Sequence, residues 1–364
     1  MSGRPPTAVG AILVIILLVT TQPFETPPGE GGSSGRTETL LRLIAHTVRA
    51  EEAPPEEARA SRAVSKESQG PSRSPASTPA RFFFAGSGRL VLRHAYFDTT
   101  LDVRYRHADG SYDLDALRQI AHFFRSREDN REAPITLRLI ELLAYIQAQF
   151  HSRQMILLSG FRSPEFNADL RQSGRQVAQA SLHTEAMAAD VLFTGVDMAG
   201  LWHQLRARAV GGVGYYRQNK FLHIDTGPPR FWEAHTSRVD ENLSAENARV
   251  FLRTDFDRYP TIAGAICSLH SLTAFPIFIS AKADLVGATR TTRLTLQPVD
   301  GRVATDAGCF AVNADAESHR FRVVHAESAL PEGRVASAHV VFSTCEPRIG
   351  KTPAQITSNP IEVP

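Results

Sequence analysis

The sequence predicts an α+β domain, with an antiparallel sheet and flanking helices, followed by an all-β, sandwich-like domain. Three observations carry that expectation. Between about residues 81 and 240, period-two alternation and helical apolar stripes occur in turn. From 245 to 364, short alternating runs are separated only by turn-rich sequence. Before residue 81, one apolar run near the start is followed by sequence too polar to build a core.

The 364 residues suffice for one large or two medium globular units plus non-globular sequence. Lys+Arg 40 against Asp+Glu 38 leaves a net charge of +2, too balanced for a nucleic-acid partner. After Arg4 no charged residue occurs until Glu25, and the centre of that run, AVGAILVIILLV, is apolar. Residues 1–24 are therefore expected to be a signal peptide or membrane anchor, and the protein to be exported. VTTQP offers no small-x-small cleavage site, and the uncharged stretch is roughly the twenty residues a spanning helix needs, which favours an anchor. Residues 25–80 are rich in Pro, Gly, Ser, Glu and Arg and read as a disordered linker, interrupted by an amphipathic stretch at 37–50. As a flexible coil, that linker would span about 40 Å.

The first domain is expected over 81–240. RLVLRHAYFDTTLDVRYRHADGSYD alternates around a turn and reads as a hairpin ending at Asp109-Gly110. Two helices follow. Asp113 is the expected N-cap of the first, with Leu114, Leu117, Ile120 and Phe124 as its buried stripe; Pro134 is placed near the first turn of the second, with Ile135, Leu139, Leu142, Leu143 and Ile146 buried. His94, His107, His122 and His151 have no partners at ligand spacing and are assigned to surface or core. MILLS reads as a buried strand ending near Gly160, with Arg162 just beyond it, where loops tend to hold working residues. A polar stretch compatible with helix runs to Ala180, VLF is a second strand opened by Asp190, and Asp197 can cap MAGLWHQLRARA. GGVGYY, the turn RQNK and FLHIDTG form a closing hairpin, in which Tyr215 and Tyr216 alternate between core and cleft.

Chemistry concentrates in SLHTEAMAAD and FLHID. On a strand, Leu222 and Ile224 share one face and His223 and Asp225 the other, so the second pair is expected to face a cleft. With His183 on a loop and Asp190 at the head of a neighbouring strand, two imidazoles and a carboxylate could converge. Zinc accepts that set, and three protein ligands leave a fourth position for water, whose pKa falls toward about 7. Spacing alone fits a hydrogen-bonded structural cluster equally well.

The run from LSGFRSPEFN through SLHTEAMAAD to GGVGYYRQNKFLHIDTG resembles the periplasmic murein endopeptidase K-like proteins of the lysostaphin, D-Ala-D-Ala metallopeptidase and sonic hedgehog group. The resemblance covers about residues 81 to 234. It implies His183, Asp190 and His223 as Zn2+ ligands and Arg162 as the residue positioning a substrate carboxylate or carbonyl, although Arg162 could instead serve a structural ion pair. For Asp225 it leaves two roles open, general base or a carboxylate that orients a ligand histidine. The implied activity is zinc-dependent cleavage of peptide cross-links in peptidoglycan, with peptide stems as partner, in a periplasmic protein tethered to the inner membrane if residues 1–24 are retained. A cell-wall peptide-binding module without catalysis is the alternative, and an envelope protein acting through its C-terminal domain a further one. Two positions depart from the family: Ala186 replaces a glycine, which matters if a positive φ is required, and Lys220 stands where several relatives of the wider group have glutamate.

In 245–364, PIFISA, TRLTLQPV, HRFRVVHA and ASAHVVFS are the expected strands of a β-rich accessory domain. All three cysteines lie here. An exported protein can form one disulfide among Cys267, Cys309 and Cys345; Cys309 with Cys345 is favoured.

Overall fold

The computed structural model describes residues 81–172, 181–233, 250–271, 277–299, 304–306, 308–312, 319–326, 335–345 and 353–363. The signal or anchor segment 1–24, the linker 25–80 and the amphipathic stretch 37–50 lie outside the described residues. Among the described residues, no helix is long and apolar enough to cross a membrane.

Alternation starts the fold. In β1 (Arg89–His94), Leu90, Leu92 and His94 turn inward while Arg89 and Arg93 face out, and β2 (Thr100–Arg104) pairs with it antiparallel, Leu90 opposite Val103. The turn at Asp109 and Gly110 is a second, smaller one, closed by a bridge between Arg106 and Tyr112. Asp113 caps α1 (Leu114–Phe123), its side chain accepting from the Ala116 N–H at 3.0 Å. The second helix, α2 (Leu137–Gln149), begins later than its proline suggests. Its N-cap is Thr136, held extended at φ −60 and ψ 135, and the Thr136 N–H donates to the Ala186 carbonyl at 3.2 Å. That anchorage leaves Pro134 ahead of the helix.

The inner face of α2 carries a buried charge that no apolar stripe reveals. Glu141 accepts from the hydroxyls of Tyr105 and Tyr112, both at 2.9 Å, from the Gly86 N–H at 2.9 Å and from Arg106 Nε at 2.6 Å. So many donors make burial of a carboxylate tolerable, and the cluster ties α2 to β2 and the segment before β1.

The first sheet continues through β3 (Met155–Ser159), β4 (Ala188–Phe193), β5 (Gly212–Tyr216), β6 (Phe221–Asp225) and β7 (Arg230–Glu233), with α3 (Pro164–Gln172) and α4 (Met198–Ala207) in the connections. Asp197 caps α4 as expected, accepting from Ala199 and Gly200. Among the described residues the strand order is β2-β1-β3-β4-β6-β5-β7. The sheet is mixed where an antiparallel one was expected. β1 and β3 are parallel because the chain returns to the same end through α1 and α2, and after β6 the chain crosses β5 so that β7 lies parallel to β5 on its far edge. β4 also starts at Ala188, two residues before Asp190.

Among the described residues everything from 250 onward that is regular is strand: β8 (Val250–Thr254), β9 (Ile266–Ser271), β10 (Ile277–Val286), β11 (Thr291–Pro298), β12 (Ala304–Asp306), β13 (Cys309–Val312), β14 (Arg320–Ala326), β15 (Val335–Thr344), β16 (Gln355–Thr357) and β17 (Ile361–Val363). Cys309 and Cys345 are bonded, and Cys267 is a buried free thiol. Burial, with Asp255 nearby, raises the Cys267 thiol pKa.

A polar seam joins the two units. Arg138 on α2 pairs with Asp257 and donates to the Thr254 carbonyl at 2.9 Å; the Phe83 N–H donates to Asp257 at 2.9 Å; Asn359 Nδ2 donates to Asp257 at 3.1 Å and to Thr254 Oγ1 at 2.9 Å. Phe82 packs on Phe256 with ring centroids 5.5 Å apart, so residues 81–83 run into the second unit.

Candidate metal centre

Strand register places the chemistry. Asp190 on β4 lies directly opposite His223 on β6, and His223 lies opposite Gly214 on β5. The loop 181–187 supplies His183. It is a compact turn: Thr184 N–H donates to the Ser181 carbonyl at 3.0 Å, Met187 N–H to the Leu182 carbonyl at 3.0 Å and Ala186 N–H to the His183 carbonyl at 3.3 Å. Ala186 has φ 53, the left-handed conformation that suits glycine. From the second unit, Phe251 on β8 joins Leu182, Met187 and Ala188 in an apolar cluster, and His270 on β9 approaches Glu185 at 3.5 Å.

Both imidazoles are fixed in one tautomer by what lies behind them. His183 Nδ1 donates to the Gly160 carbonyl at 2.6 Å, which leaves a lone pair on Nε2. His223 Nε2 donates to Asp225 at 2.9 Å, which leaves a lone pair on Nδ1. These two nitrogens face each other at 3.2 Å, and Asp190 Oδ1 lies 3.0 Å from His223 Nδ1 and 3.3 Å from His183 Nε2. With both rings neutral, two buried lone pairs and the Asp190 Oδ1 oxygen converge on one point. Tetrahedral bonds of about 2.0 Å have edges of about 3.3 Å, so the donor set fits an ion such as Zn2+. Ionisation follows the same geometry. Burial, with Arg162 nearby, pushes His183 down to about 4. Burial opposes charge on His223 too, but bonds to Asp190 and Asp225 raise it above the ordinary imidazole value. Burial works against the Asp190 carboxylate, yet His183, His223 and Arg162 hold it well below the usual range.

Asp225 does not face the cleft as expected. It is fully buried, 0 % exposed, and accepts from the N–H groups of Gly212 at 3.2 Å and Gly227 at 2.8 Å and from both ends of the Arg230 guanidinium at 3.0 and 2.7 Å, besides His223. Burial alone would raise its pKa; the bond from His223 and the charge of Arg230 overcome this and bring it to about 2. Gly212 on β5 lies directly opposite Asp225, and a Cβ there would fall on the Asp225 carboxylate, so the glycine leaves room for the buried side chain. Arg230 went unnoticed in the sequence because RFWE is too short to show a strand period.

Arg162 stands where the chain leaves β3. Its Nη2 donates to Asp190 at 2.6 Å and its Nε to Ser159 Oγ at 2.9 Å, while Nη1 has no partner among the described residues. Arg162 and Asp190 line a cleft of about 330 Å³ together with Tyr216 and Phe221, which stack at 4.5 Å. Tyr215, its neighbour, is in the core, so the tyrosine alternation read from sequence holds. Trp232 on β7 covers the His223 ring at 5.3 Å.

The region that carries these residues is an M15 peptidase domain. Residues 85–232 match the family model Peptidase_M15_2, described as peptidoglycan L,D-endopeptidase MepK. The protein of that name from Escherichia coli K12 is 36% identical over 144 residues, which is 39% of this chain and 79% of the relative, and the Shigella flexneri protein gives the same figures. A Haemophilus influenzae protein named "Probable peptidoglycan L,D-endopeptidase MepK" is 30% identical over 119 residues, 32% of this chain and 64% of the relative. The chain belongs to the MepK family. No solved structure matches it.

Proposed function

We propose that the chain is a zinc-dependent endopeptidase that hydrolyses peptide cross-links in peptidoglycan. The observation that carries the reading is the meeting of His183 Nε2, His223 Nδ1 and Asp190 Oδ1 at tetrahedral spacing beside a cleft. A divalent ion held by these three would supply Lewis acidity for an amide carbonyl and for water. The chain's own residues do the rest. Asp225 and the Gly160 carbonyl hold the two imidazoles in the ligating tautomers, so Asp225 takes the orienting role in preference to that of general base. Arg162 keeps Asp190 ionised through Nη2 and offers Nη1 to a substrate carbonyl or carboxylate. Tyr216 and Phe221 supply a flat apolar wall.

A second reading has one observation in its favour. Among the described residues lining the cleft, Asp190 is the one carboxylate, and it belongs to the ligand set, so a peptide-binding module without turnover would need no other group. One experiment separates the two: chromatography of muropeptides after purified peptidoglycan is incubated with the protein, with protein plus chelator, with chelator followed by zinc, and with His183→Ala. Loss of cross-linked dimers, abolished by chelator and by His183→Ala and restored by zinc, is the expected result. An unchanged profile from folded, zinc-loaded protein would sink the peptidase reading.

We extend the proposal to export, on the uncharged apolar run at 5–24, with retention of residues 1–24 as an anchor and the C-terminal unit as a sandwich-like accessory domain. Fractionation of cells, with mass spectrometry of the mature N-terminus, tests the first two; a soluble cytoplasmic chain beginning at residue 1 would refute them.

A further inference from the structure

The cleft has a second end, away from the three candidate ligands. There it is lined by His94, Tyr96, Arg125, Arg127 and Phe166. Its charge is one-sided, because the carboxylate of Asp190 is already matched by Arg162. Both additional guanidiniums are held in place. Arg125 lies over the Phe97 ring at 4.0 Å and donates to the His122 carbonyl at 2.8 Å and to Asn130 at 3.3 Å, with no carboxylate in ion-pair reach among the described residues. Arg127 lies 4.4 Å over Tyr96 and 5.6 Å from Phe166, and it shares its charge with exposed Glu128 at 3.1 Å.

The same end of the cleft holds an imidazole of defined tautomer. His94 Nδ1 accepts from the N–H groups of Tyr96 at 3.1 Å and Phe97 at 3.3 Å, so the proton resides on Nε2, where no described residue accepts it. Burial, reinforced by Arg125 and Arg127, pushes His94 down to about 4, which keeps it a neutral donor. A neutral N–H and two braced guanidiniums lining one cleft make a donor array for an oxyanion, and planar guanidiniums suit a carboxylate.

We propose that Arg125, Arg127 and the Nε2–H of His94 form a subsite for a free carboxylate of the peptide substrate, set apart from the bond that is cut. The inference rests on the peptidase reading for its substrate class, and it assigns work to a histidine that ligand spacing leaves without any. Binding there selects cross-linked peptides with an unmodified carboxylate over those in which it is amidated.

The test uses the full zinc-loaded chain and two cross-linked peptide dimers, one with free carboxylates and one amidated. Wild type should show a KM for the free form lower by about tenfold or more, the usual worth of a charge-assisted bond. Arg125→Ala/Arg127→Ala should lose that preference through KM, and Arg125→Gln, at a half-buried position, should lose part of it. In parallel, calorimetry on chelated protein measures binding of an uncross-linked stem peptide, free or amidated. Preference in both arms, erased in the double variant, supports the subsite. Equal cutting or equal binding of the two forms by wild type, or a preference that survives in the double variant, overturns it. A wild type that binds the free form better yet cuts neither keeps the subsite and overturns the peptidase reading.

Discussion

The seam around Asp257 and the pocket around Asp190 both bury charge between packed elements, yet they differ in how their hydrogen bonds end. At the seam the named donors each meet an acceptor: Arg138, the Phe83 N–H and Asn359 Nδ2 all converge on Asp257, and Thr254 N–H donates back to Asn359 Oδ1 at 3.0 Å. In the pocket the outer bonds are equally complete, but they turn two lone pairs inward toward a carboxylate. A closed network holds a structure together. An open one, maintained by well-made bonds behind it, is built to receive something.

That contrast can be broken by measurement. The largest effect should come from the seam, where Asp257→Ala leaves Arg138 buried without its partner and should cost about 3 kcal/mol in urea unfolding. Zinc should act on the pocket alone. At about 100 times its dissociation constant it should stabilise wild type by about 2.7 kcal/mol, and Asp257→Ala by the same increment. If zinc leaves wild-type stability unchanged, the open pocket is not an ion site. Asp225→Asn should weaken zinc binding about 10- to 100-fold in a chelator competition, because the bond that fixes the His223 tautomer is lost. Undiminished affinity would return Asp225 to the list of proton carriers. Ala186→Gly should stabilise the protein by about 1 kcal/mol by relieving the left-handed alanine, read as a rise in the urea midpoint.

Near neutral pH the smallest effect concerns His94. Its folded pKa of about 4 lies below the ordinary 6.5, so as pH falls from 6.5 toward 4 the unfolded chain takes up the proton first. Stability from this group is present above 6.5 and declines through that window. Imidazole NMR should show His94 still neutral at a pH where exposed histidines are charged; a normal titration would remove the case for a fixed neutral donor.

Much of this was legible in the sequence. Residues with a strict local signal appeared where expected: Asp113 and Asp197 as caps, and GGVGYY and FLHID as a hairpin; Cys309 with Cys345, favoured among three possible pairings, is also formed. The candidate ligands were named because two short motifs carry them. What was missed depends on contacts between distant segments. Glu141 lies in an apolar stripe and is satisfied by tyrosines 29 and 36 positions away. The start of α2 follows Ala186, fifty residues on, in place of Pro134. Whether Asp225 points to a cleft or inward was decided by the space at Gly212, which alternation along β6 does not encode. The parallel pairings likewise reflect the route of the chain between strands.

The contact of β8 and β9 with the loop 181–187 has a consequence for time scales. A loop that folds over a site alone can open alone, and an ion held beneath it then exchanges as fast as that opening. Here Phe251 packs on Leu182 and Met187 while Glu185 meets His270, so lifting the loop means parting it from a second sheet. Exchange at the pocket should then run at the pace of the whole molecule's breathing, with amide hydrogen exchange at Thr184, Ala186 and Met187 slowed to the same rate.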